Sequence, residues 1–393
     1  RFNVFASAQH INRDSYYGPG DRDPLDAYGN TTDLNWMAGS QYVYSFGKCI
    51  FMPADLTAGI EFNQDKLEDN MWGYHRTVDQ KVNIGSAFFQ NEWKNEHWGF
   101  LIGGRLDKHN LIDHVIFSPR ANLRYNPTEN INLRFSYSSG FRAPQAFDED
   151  LHVENVGGNV AMVELADNLK EERSQSLSAS ADIYHRFGAF QVNFLVEGFY
   201  TKLSDVFALT DGEVVDGILT RTRYNAPGAR VMGLTLEGKM AYLTKFQVQA
   251  GVTLQQSHYS EPHVWNKEAP AVKKMMRTPN TYGYFTATYT PIKPLSIALS
   301  GTYTGSMLVP HEPVPGFLEK PITVNTKDFF DIGLKAAYDF KLYKSMNLQV
   351  NAGVQNIFNA YQNDFDKGAD RDSGYIYGPS LPRSFFAGVK ISY

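Results

Sequence analysis

Along most of the chain, apolar and polar side chains alternate with a period of two. In the last segment Phe385, Ala387, Val389, Ile391 and Tyr393 take one side, and Gly388, Lys390 and Ser392 take the other, with Phe386 as the exception. Leu348, Val350, Ala352 and Val354 likewise oppose Asn347, Gln349, Asn351 and Gln355. Phe246, Val248, Ala250, Val252 and Leu254 oppose Gln247, Gln249, Thr253 and Gln255, and Ile131, Leu133, Phe135 and Tyr137 oppose Asn132, Arg134 and Ser136. A period of two puts successive side chains on opposite faces of a pleated strand. The pattern predicts about sixteen strands, starting near residues 2, 35, 53, 79, 95, 114, 130, 173, 189, 218, 246, 280, 295, 328, 346 and 383.

Two architectures use such strands. In a soluble sandwich or propeller the apolar face packs into a core. In a membrane barrel it meets lipid. Many of these segments need roughly 10 or more residues, whereas soluble strands run about 5 to 6 and tilted membrane strands about 9 to 11. The connections also alternate. Short ones fall near 47–53, 91–97, 126–130, 186–189, 242–246, 290–294 and 339–347; long ones fall near 12–34, 66–79, 108–114, 139–173, 203–218, 259–280, 304–328 and 357–383. Short turns on one side and long loops on the other are the mark of an outer-membrane barrel, whose strands satisfy their backbones laterally because lipid offers no partner. The expected fold is all-β: a transmembrane antiparallel up-and-down β-barrel, multi-pass in a bacterial outer membrane. Tyr393 then sits in the aromatic belt at the inner interface. The strand over 218–243, with Pro227 and Gly228, is long enough to extend beyond the membrane with a bulge.

Composition narrows the function. The chain has 393 residues, a net charge of −5, 14% aromatic residues and one cysteine, Cys49. One cysteine excludes an internal disulfide framework and a cysteine-based zinc site. The absence of a basic stripe speaks against nucleic acid as a partner. No run of about 18 apolar residues suggests a membrane-spanning helix. The text starts at Arg1 with neither an initiating Met nor a signal peptide, as a mature or trimmed product would. There is no G-x-S-x-G element, no H-E-x-x-H and no P-loop, so an enzyme reading has no residues to stand on.

Several stretches carry a family resemblance. In "YSSGFRAPQAFDEDLH", Phe141, Arg142, Ala143 and Pro144 match the FRAP element of TonB-dependent outer-membrane receptors. "ADNLKEERS", with Leu169 and Glu171, resembles the element that follows it in that family, although the family's proline is absent. "AGVQNIFNAYQ", with Asn356 and Phe358, resembles the penultimate-strand element, and "RYNAPGARVMGLTLEG" resembles the family's Asn…Gly-x-Glu strand. The resemblance implies an active importer: a barrel of about 22 strands filled by an N-terminal plug. Its loops bind a scarce solute, and TonB pulls on the plug to release it inward. The expected solute is a ferric siderophore, haem or cobalamin. No plug is recognisable here and the strand count falls about six short, so residues 1–393 are expected to be the C-terminal barrel part of such a receptor. The expected partners are the TonB complex through the plug, the solute, outer-membrane lipid and lipopolysaccharide, and a surface lipoprotein. No resident cofactor is expected, with haem entering only as transported solute. The alternative is a passive general porin of about sixteen strands; an adhesin would need larger inserts.

Candidate ligand residues lie in the long connections. His152 falls between the two motif halves, where haem-importing members of the family can place an axial ligand; a single histidine without a partner reads first as an ordinary polar loop residue. Its potential partners are His75, His258, His263 and His311. Trp72, Tyr74, His75, His263 and Trp265 suit either stacking on a flat solute or an aromatic girdle. Asp364, Asp366, Asp370 and Asp372, and also Asp21, Asp23 and Asp26, offer oxygen ligands for calcium, or form solvated acidic loops. Arg120, Arg124 and Arg134 are predicted to face the lumen, where they could steer an anionic solute or meet plug carboxylates.

Overall fold

The computed structural model describes residues 1–16, 28–151, 154–156, 159–215, 218–343, 345–368, 370–379 and 381–393. In chain order the strands are β1 (Phe2–Tyr16), β2 (Tyr28–Cys49), β3 (Met52–Met71), β4 (Arg76–Lys94), β5 (Trp98–His109), β6 (Ile116–Thr128), β7 (Ile131–Arg142), β8 (Glu154–Val156), β9 (Asn159–Leu165), β10 (Glu172–Phe187), β11 (Phe190–Val215), β12 (Ile218–Tyr242), β13 (Phe246–His263), β14 (Val272–Lys274), β15 (Thr281–Ile292), β16 (Leu295–Thr304), β17 (Leu308–His311), β18 (Ile322–Asn325), β19 (Phe329–Tyr343), β20 (Met346–Gln355) and β21 (Ser384–Ser392). The helical content among the described residues is two 3-10 turns, Trp72–Tyr74 and Asp148–Leu151. Among the described residues no helix is long and apolar enough to cross a membrane.

Sixteen strands are long: β1 to β7, β10 to β13, β15, β16 and β19 to β21. Each pairs antiparallel with the next long strand along the chain, from β1–β2 to β20–β21. This is the meander that the alternation predicts, with fifteen of the sixteen expected starts falling within three residues of those observed; β2 begins earlier, at Tyr28 rather than near 35. Among the described residues no register joins β1 to β21.

Two expectations need correction. Three of the predicted long connections are largely strand. β1 runs to Tyr16 and β2 starts at Tyr28, β3 and β4 leave only residues 72–75 between them, and β11 and β12 are separated only by residues 216–217. Turn-forming residues in these stretches suggested loops, but pairing between long neighbours carries the strands through them. The bulge expected at Pro227–Gly228 is instead a local kink. Ser204 pairs with Gly228 and Val206 with Ala226, so the register does not slip there. Gly228 has φ 142 and Asp205 φ 54, both in the left-handed region.

The two faces of the sheet separate as predicted. Val4, Ile60, Phe89, Ile102, Phe135, Phe194, Val389 and Ile391 form an exposed apolar outer face. The opposite face carries Glu61, Arg105, Arg120, Arg134, Glu237 and Lys390. At the short-turn end, outward aromatics form a belt: Phe51 stacks on Trp93 at 5.6 Å, Trp98 on Tyr125 at 4.2 Å, and Phe190 lies 4.6 Å from Tyr242. Indole and phenol rings suit this amphipathic level.

Phe386, the exception in the terminal alternation, has a packing reason. It points inward opposite Gly353, where a Cβ on the glycine would lie 2.5 Å from its ring. Phe88 covers Gly59 in the same way, at 2.4 Å. Aromatic rings laid over cross-strand glycines stiffen the lumen wall where the glycine contributes no side chain.

This assignment of faces is testable by arginine substitution. Val350→Arg, on the lipid face, is expected to destabilise the barrel by about 2–4 kcal/mol, whereas an arginine facing the lumen carries no such cost. Gln349→Arg is therefore expected to unfold close to wild type. Reversible denaturant unfolding in lipid vesicles measures both; equal effects at the two positions would overturn the assignment.

Candidate functional site at the outer mouth

At the end opposite the short turns, β11 and β12 rise past their neighbours. β10 follows β11 only to Ser204, and β13 follows β12 only to Ala229. The free part of β12 gains another neighbour, β9, which pairs parallel with it from Ile218↔Val160 to Arg223↔Leu165. Alternation along this extension puts Leu219, Arg221 and Arg223 on one face. All three are buried or nearly so, and they hold the outer connections together.

Arg223 forms an ion pair with Asp150 in the segment after the FRAP-like element. Both groups are buried, at 7% and 2% exposure. The second carboxylate oxygen of Asp150 accepts the Phe147 backbone N–H at 2.9 Å, while Arg76 of β4 donates to the Asp150 carbonyl at 2.6 Å and to the Val163 carbonyl at 3.2 Å. The Arg142 guanidinium lies 3.8 Å from the centre of the Phe147 ring and 5.7 Å from that of Phe207. Arg223 sits about 6 Å from the same two rings, within reach of attraction to their π faces. Tyr74 and Met71 pack with Val160 and Met162, tying the β3–β4 turn to β9.

The second motif half is fixed to the same hairpin. Asn225 accepts the Lys170 N–H at 2.7 Å and donates to the Lys170 carbonyl at 3.0 Å and the Asp205 carbonyl at 2.8 Å. Glu171 accepts from Arg173 at 2.8 Å and lies 3.1 Å from His114. Burial pushes the Glu171 carboxyl up, but the Arg173 hydrogen bond and the neighbouring positive charge outweigh it and hold the group below its ordinary range.

Arg221 reaches the other way. It pairs with Glu312 at 2.9 Å, and Asn266 donates to the second oxygen of Glu312 at 2.9 Å. Beside it, His311 lies 2.9 Å from Asp366, and its ring stacks on Tyr375 at 3.7 Å. The Glu312 N–H donates to Asp372, and the Tyr377 hydroxyl donates to Asp364 at 2.6 Å. Burial raises the Tyr377 hydroxyl first, and the Asp364 carboxylate raises it further.

The structure thus brings some sequence candidates together and separates others. Phe141 and Ala143 pack with Ile112 and Ile116, Pro144 is buried beside them, and Arg142 faces Phe147. Asn356, with φ 50, is buried and bonds to the Ala360 N–H and to the Ala360 and Leu381 carbonyls, closing the base of the last loop. Phe358 is exposed near Phe330 on the lipid side, and Leu169 is half-buried. Trp72 is exposed and His75 is exposed with φ 50. Tyr74 and Trp265 are buried, at 4% and 8% exposure, so they brace loops rather than offer free faces. The His263 ring lies tilted against that of Tyr259, 4.8 Å between centres. His152, Asp21, Asp23 and Asp26 lie outside the described residues. The carboxylates of Asp364, Asp366 and Asp372 are taken up by Tyr377, by His311 at the end of β17 and by backbone N–H groups, and Asp370 is exposed. Among the described residues no group of three or more His, Cys, Asp or Glu side chains is arranged to hold a metal ion. Sequence reading missed Arg76, Phe147, Asp150, Phe207, Arg221, Arg223 and Glu312. The one available signal was a pair of arginines on the same face of a strand expected to outrun the membrane.

The family model described as TonB dependent receptor-like, beta-barrel matches residues 1–357. No curated protein matches the chain. Among solved structures, a point variant of the ferric enterobactin receptor PfeA of Pseudomonas aeruginosa is similar with a TM-score of 0.71 at 16% identity, covering 99% of this chain and 59% of that one. The siderophore receptor PirA of Acinetobacter baumannii gives 0.67 at 15% identity, with 99% and 59% covered. The copper transporter OprC gives 0.66 at 13% identity, with 99% and 61% covered. The chain therefore spans about three-fifths of the length of these structures; at such identities they show a shared fold.

Removing one partner of a buried ion pair costs about 3–5 kcal/mol locally. Arg223→Ala is therefore expected to abolish hydrogen-exchange protection in β9 and in the free part of β12, while the membrane strands keep theirs. Unchanged protection in β9 would show that the pair does not hold this segment. A pH series gives a second test. The folded Glu171 carboxyl titrates below its ordinary value of 4.5, so its contribution is complete above that value and is lost as pH falls through the folded one. Protection around residues 169–173 should drop in that acid window for the wild type and not for Glu171→Gln.

Proposed function

This chain belongs to the TonB-dependent receptor β-barrel family, and on that premise we propose that it is the barrel portion of an outer-membrane receptor that takes up a scarce metal chelate with energy from TonB. The carrying observation is the family match over residues 1–357. The outer mouth supports the reading. Its loops are cross-braced through Arg221 and Arg223, and they surround a group of arginines and aromatic rings suited to a flat or anionic solute. Two of the structural relatives are named for siderophore or ferric enterobactin reception and one for copper transport, which favours a metal-bearing solute over an oligosaccharide. Arg142, Phe147, Phe207 and exposed Trp72 are the contact residues we assign to it. A passive porin drew its support from the count of sixteen strands. That count loses its force in a chain spanning about three-fifths of its relatives' length.

TonB contacts belong to a plug domain in this reading. Lipopolysaccharide surrounds the outer rim, and a surface lipoprotein is a further proposed partner. The loop carboxylates at 364–372 are left to bracing rather than calcium.

The test uses the full-length receptor in its host. A deletion strain is grown with single iron, haem or cobalamin sources, and uptake of the restoring compound is followed with and without a protonophore. Uptake by wild type that stops when the proton gradient collapses is the expected result; uptake indifferent to the protonophore would return the chain to the porin class. Arg142→Ala should weaken binding of the same compound by about tenfold, equivalent to roughly 1.4 kcal/mol.

A further inference from the structure

Four adjacent strands, β10 to β13, carry a recess on their lipid-facing side. Phe135 and Phe194 face outward, and direct cross-strand pairing extends that face along two rows. One runs Phe135, Ala179, Gly198, Leu234 and Leu254; the next runs Leu177, Tyr200, Met232 and Gln256. Most of these side chains are large, but Ala179 and Gly198 stand side by side. An open recess of about 840 Å³ lies over them, walled by Leu177, Tyr200, Met232 and Leu254 among others. A Cβ added at Gly198 would meet nothing within 4 Å, so no neighbouring ring fills the floor.

The row above is cationic. Lys202 stands in register with Arg230, Arg230 with His258, and His258 with Lys274. These positions lie two residues beyond Tyr200, Met232 and Gln256, so alternation turns them to the same outward face. The row crosses four neighbouring strands, about 14 Å in all. Among the described residues no ion pair engages Lys202, Arg230 or Lys274, whereas Arg173 on β10 is taken up by Glu171.

Strand geometry gives the depth of both features. Phe190 belongs to the aromatic belt at the short-turn end. Gly198 is eight residues further along β11, about 26 Å of strand, or roughly 19 Å of depth at a tilt near 45°. Lys202 stands roughly 28 Å from the belt by the same measure. The apolar band of such a wall is about 25 Å tall. The recess therefore lies in the outer half of the hydrocarbon, and the cations lie just outside it at headgroup level.

We propose that this face of the barrel binds a phosphorylated lipid of the outer leaflet, with an acyl chain in the recess over Ala179 and Gly198 and headgroup phosphates on Lys202, Arg230 and Lys274. The site depends on the outer-membrane setting of the reading above and not on the cargo. A free phosphate would use the cations alone, and a purely apolar partner the recess alone. A lipid carries both groups, in that order along the membrane normal. The guanidinium offers a planar fork to phosphate oxygens and the ammonium groups act as point charges; basic residues at headgroup level attract anionic lipid. Three cations spread over about 14 Å suit a headgroup with more than one phosphate, which is the chemistry of lipopolysaccharide. A second copy of the chain fits less well, because a two-fold contact through this face would set like charges against each other.

The test is native mass spectrometry of the full-length receptor released from a neutral detergent. The probes are purified lipopolysaccharide, its dephosphorylated form and inorganic phosphate. The proteins are wild type, Lys202→Gln/Arg230→Gln/Lys274→Gln, Gly198→Leu, Ala179→Leu, and Lys293→Gln as a control at the short-turn end. Wild type and control are expected to carry lipopolysaccharide. The triple variant and both recess-filling variants are expected to bind it at least about tenfold more weakly. Wild type should lose a similar factor when the lipid is dephosphorylated, and the triple variant should lose nothing further. Equal lipopolysaccharide binding by the triple variant and the control would overturn the site, as would equal binding of the two lipids by wild type. A loss in the triple variant with none in either recess variant would reduce the site to an anion patch and refute the acyl half. Displacement of the lipid by an equal concentration of inorganic phosphate would do the same. A lipid-free dimer that Gly198→Leu dissociates would give the recess to a second copy and sink the proposal. The two recess variants sit on different strands, so misfolding of one leaves the other to decide. Uptake enters none of these readouts, so failure of the transport reading would leave the result standing.

Discussion

A backbone N–H or C=O inside a bilayer has no water to turn to, so each must be satisfied by a neighbouring strand. That constraint accounts for the plainest feature of the chain, sixteen long strands pairing in chain order with few register irregularities. Sequential pairing gathers seven connections of two or three residues at one end and sends the long insertions to the other, where β11 and β12 also meet after running on past their neighbours. It also frees the side chains from holding the fold. The outer row can be apolar to suit lipid and the inner row can be almost anything polar, because the lateral ladder already fixes the wall.

Above the membrane the constraint relaxes and side chains take over the architecture. The outer segments have few lateral neighbours and little shared core. They are held by a small number of polar contacts, several of them buried. The hairpin of β11 and β12 is the hub, with Arg223 gripping one connection through Asp150 and Arg221 gripping another through Glu312. A buried pair of this kind adds little net stability over an apolar contact, but breaking one partner is costly. It therefore acts as a specific fastener more than as a source of stability.

The strands were legible in the sequence because each depends on a local period of two, and the membrane makes that period strict on one face. Even the exception at Phe386 proved to be a local rule, a ring covering Gly353 across the strand pair. The mouth was not legible for the opposite reason. Arg223 and Asp150 are 73 residues apart, and nothing near either position announces the other. The parallel docking of β9 on β12 is likewise invisible to periodicity, since six residues of strand in a loop read as any short apolar run. Tyr74 and Trp265 looked like free aromatic faces because sequence reports that a residue lies in a loop, not whether the loop folds back over it. The motif residues fared differently. Asn356 was noticed through family resemblance, and its physical role, joining Ala360 to Leu381 in a left-handed backbone conformation, emerged only from the geometry.

The lumen shows how this division of labour shapes function. On the wall of β12, β13 and β15, Glu237 is matched by Lys239 at 2.7 Å and by the Tyr284 hydroxyl, which also accepts from Gln249 at 2.7 Å. That network closes on itself. On the wall of β6 and β7, Arg124 opposes Arg134 with no carboxylate between them. Two unit charges about 6 Å apart in water repel by only about 0.7 kcal/mol, so a wet lumen tolerates the opposition and the lateral hydrogen bonds hold the strands regardless. The arrangement costs little to keep, and it leaves one wall carrying opposed cations and the other an internally paired network.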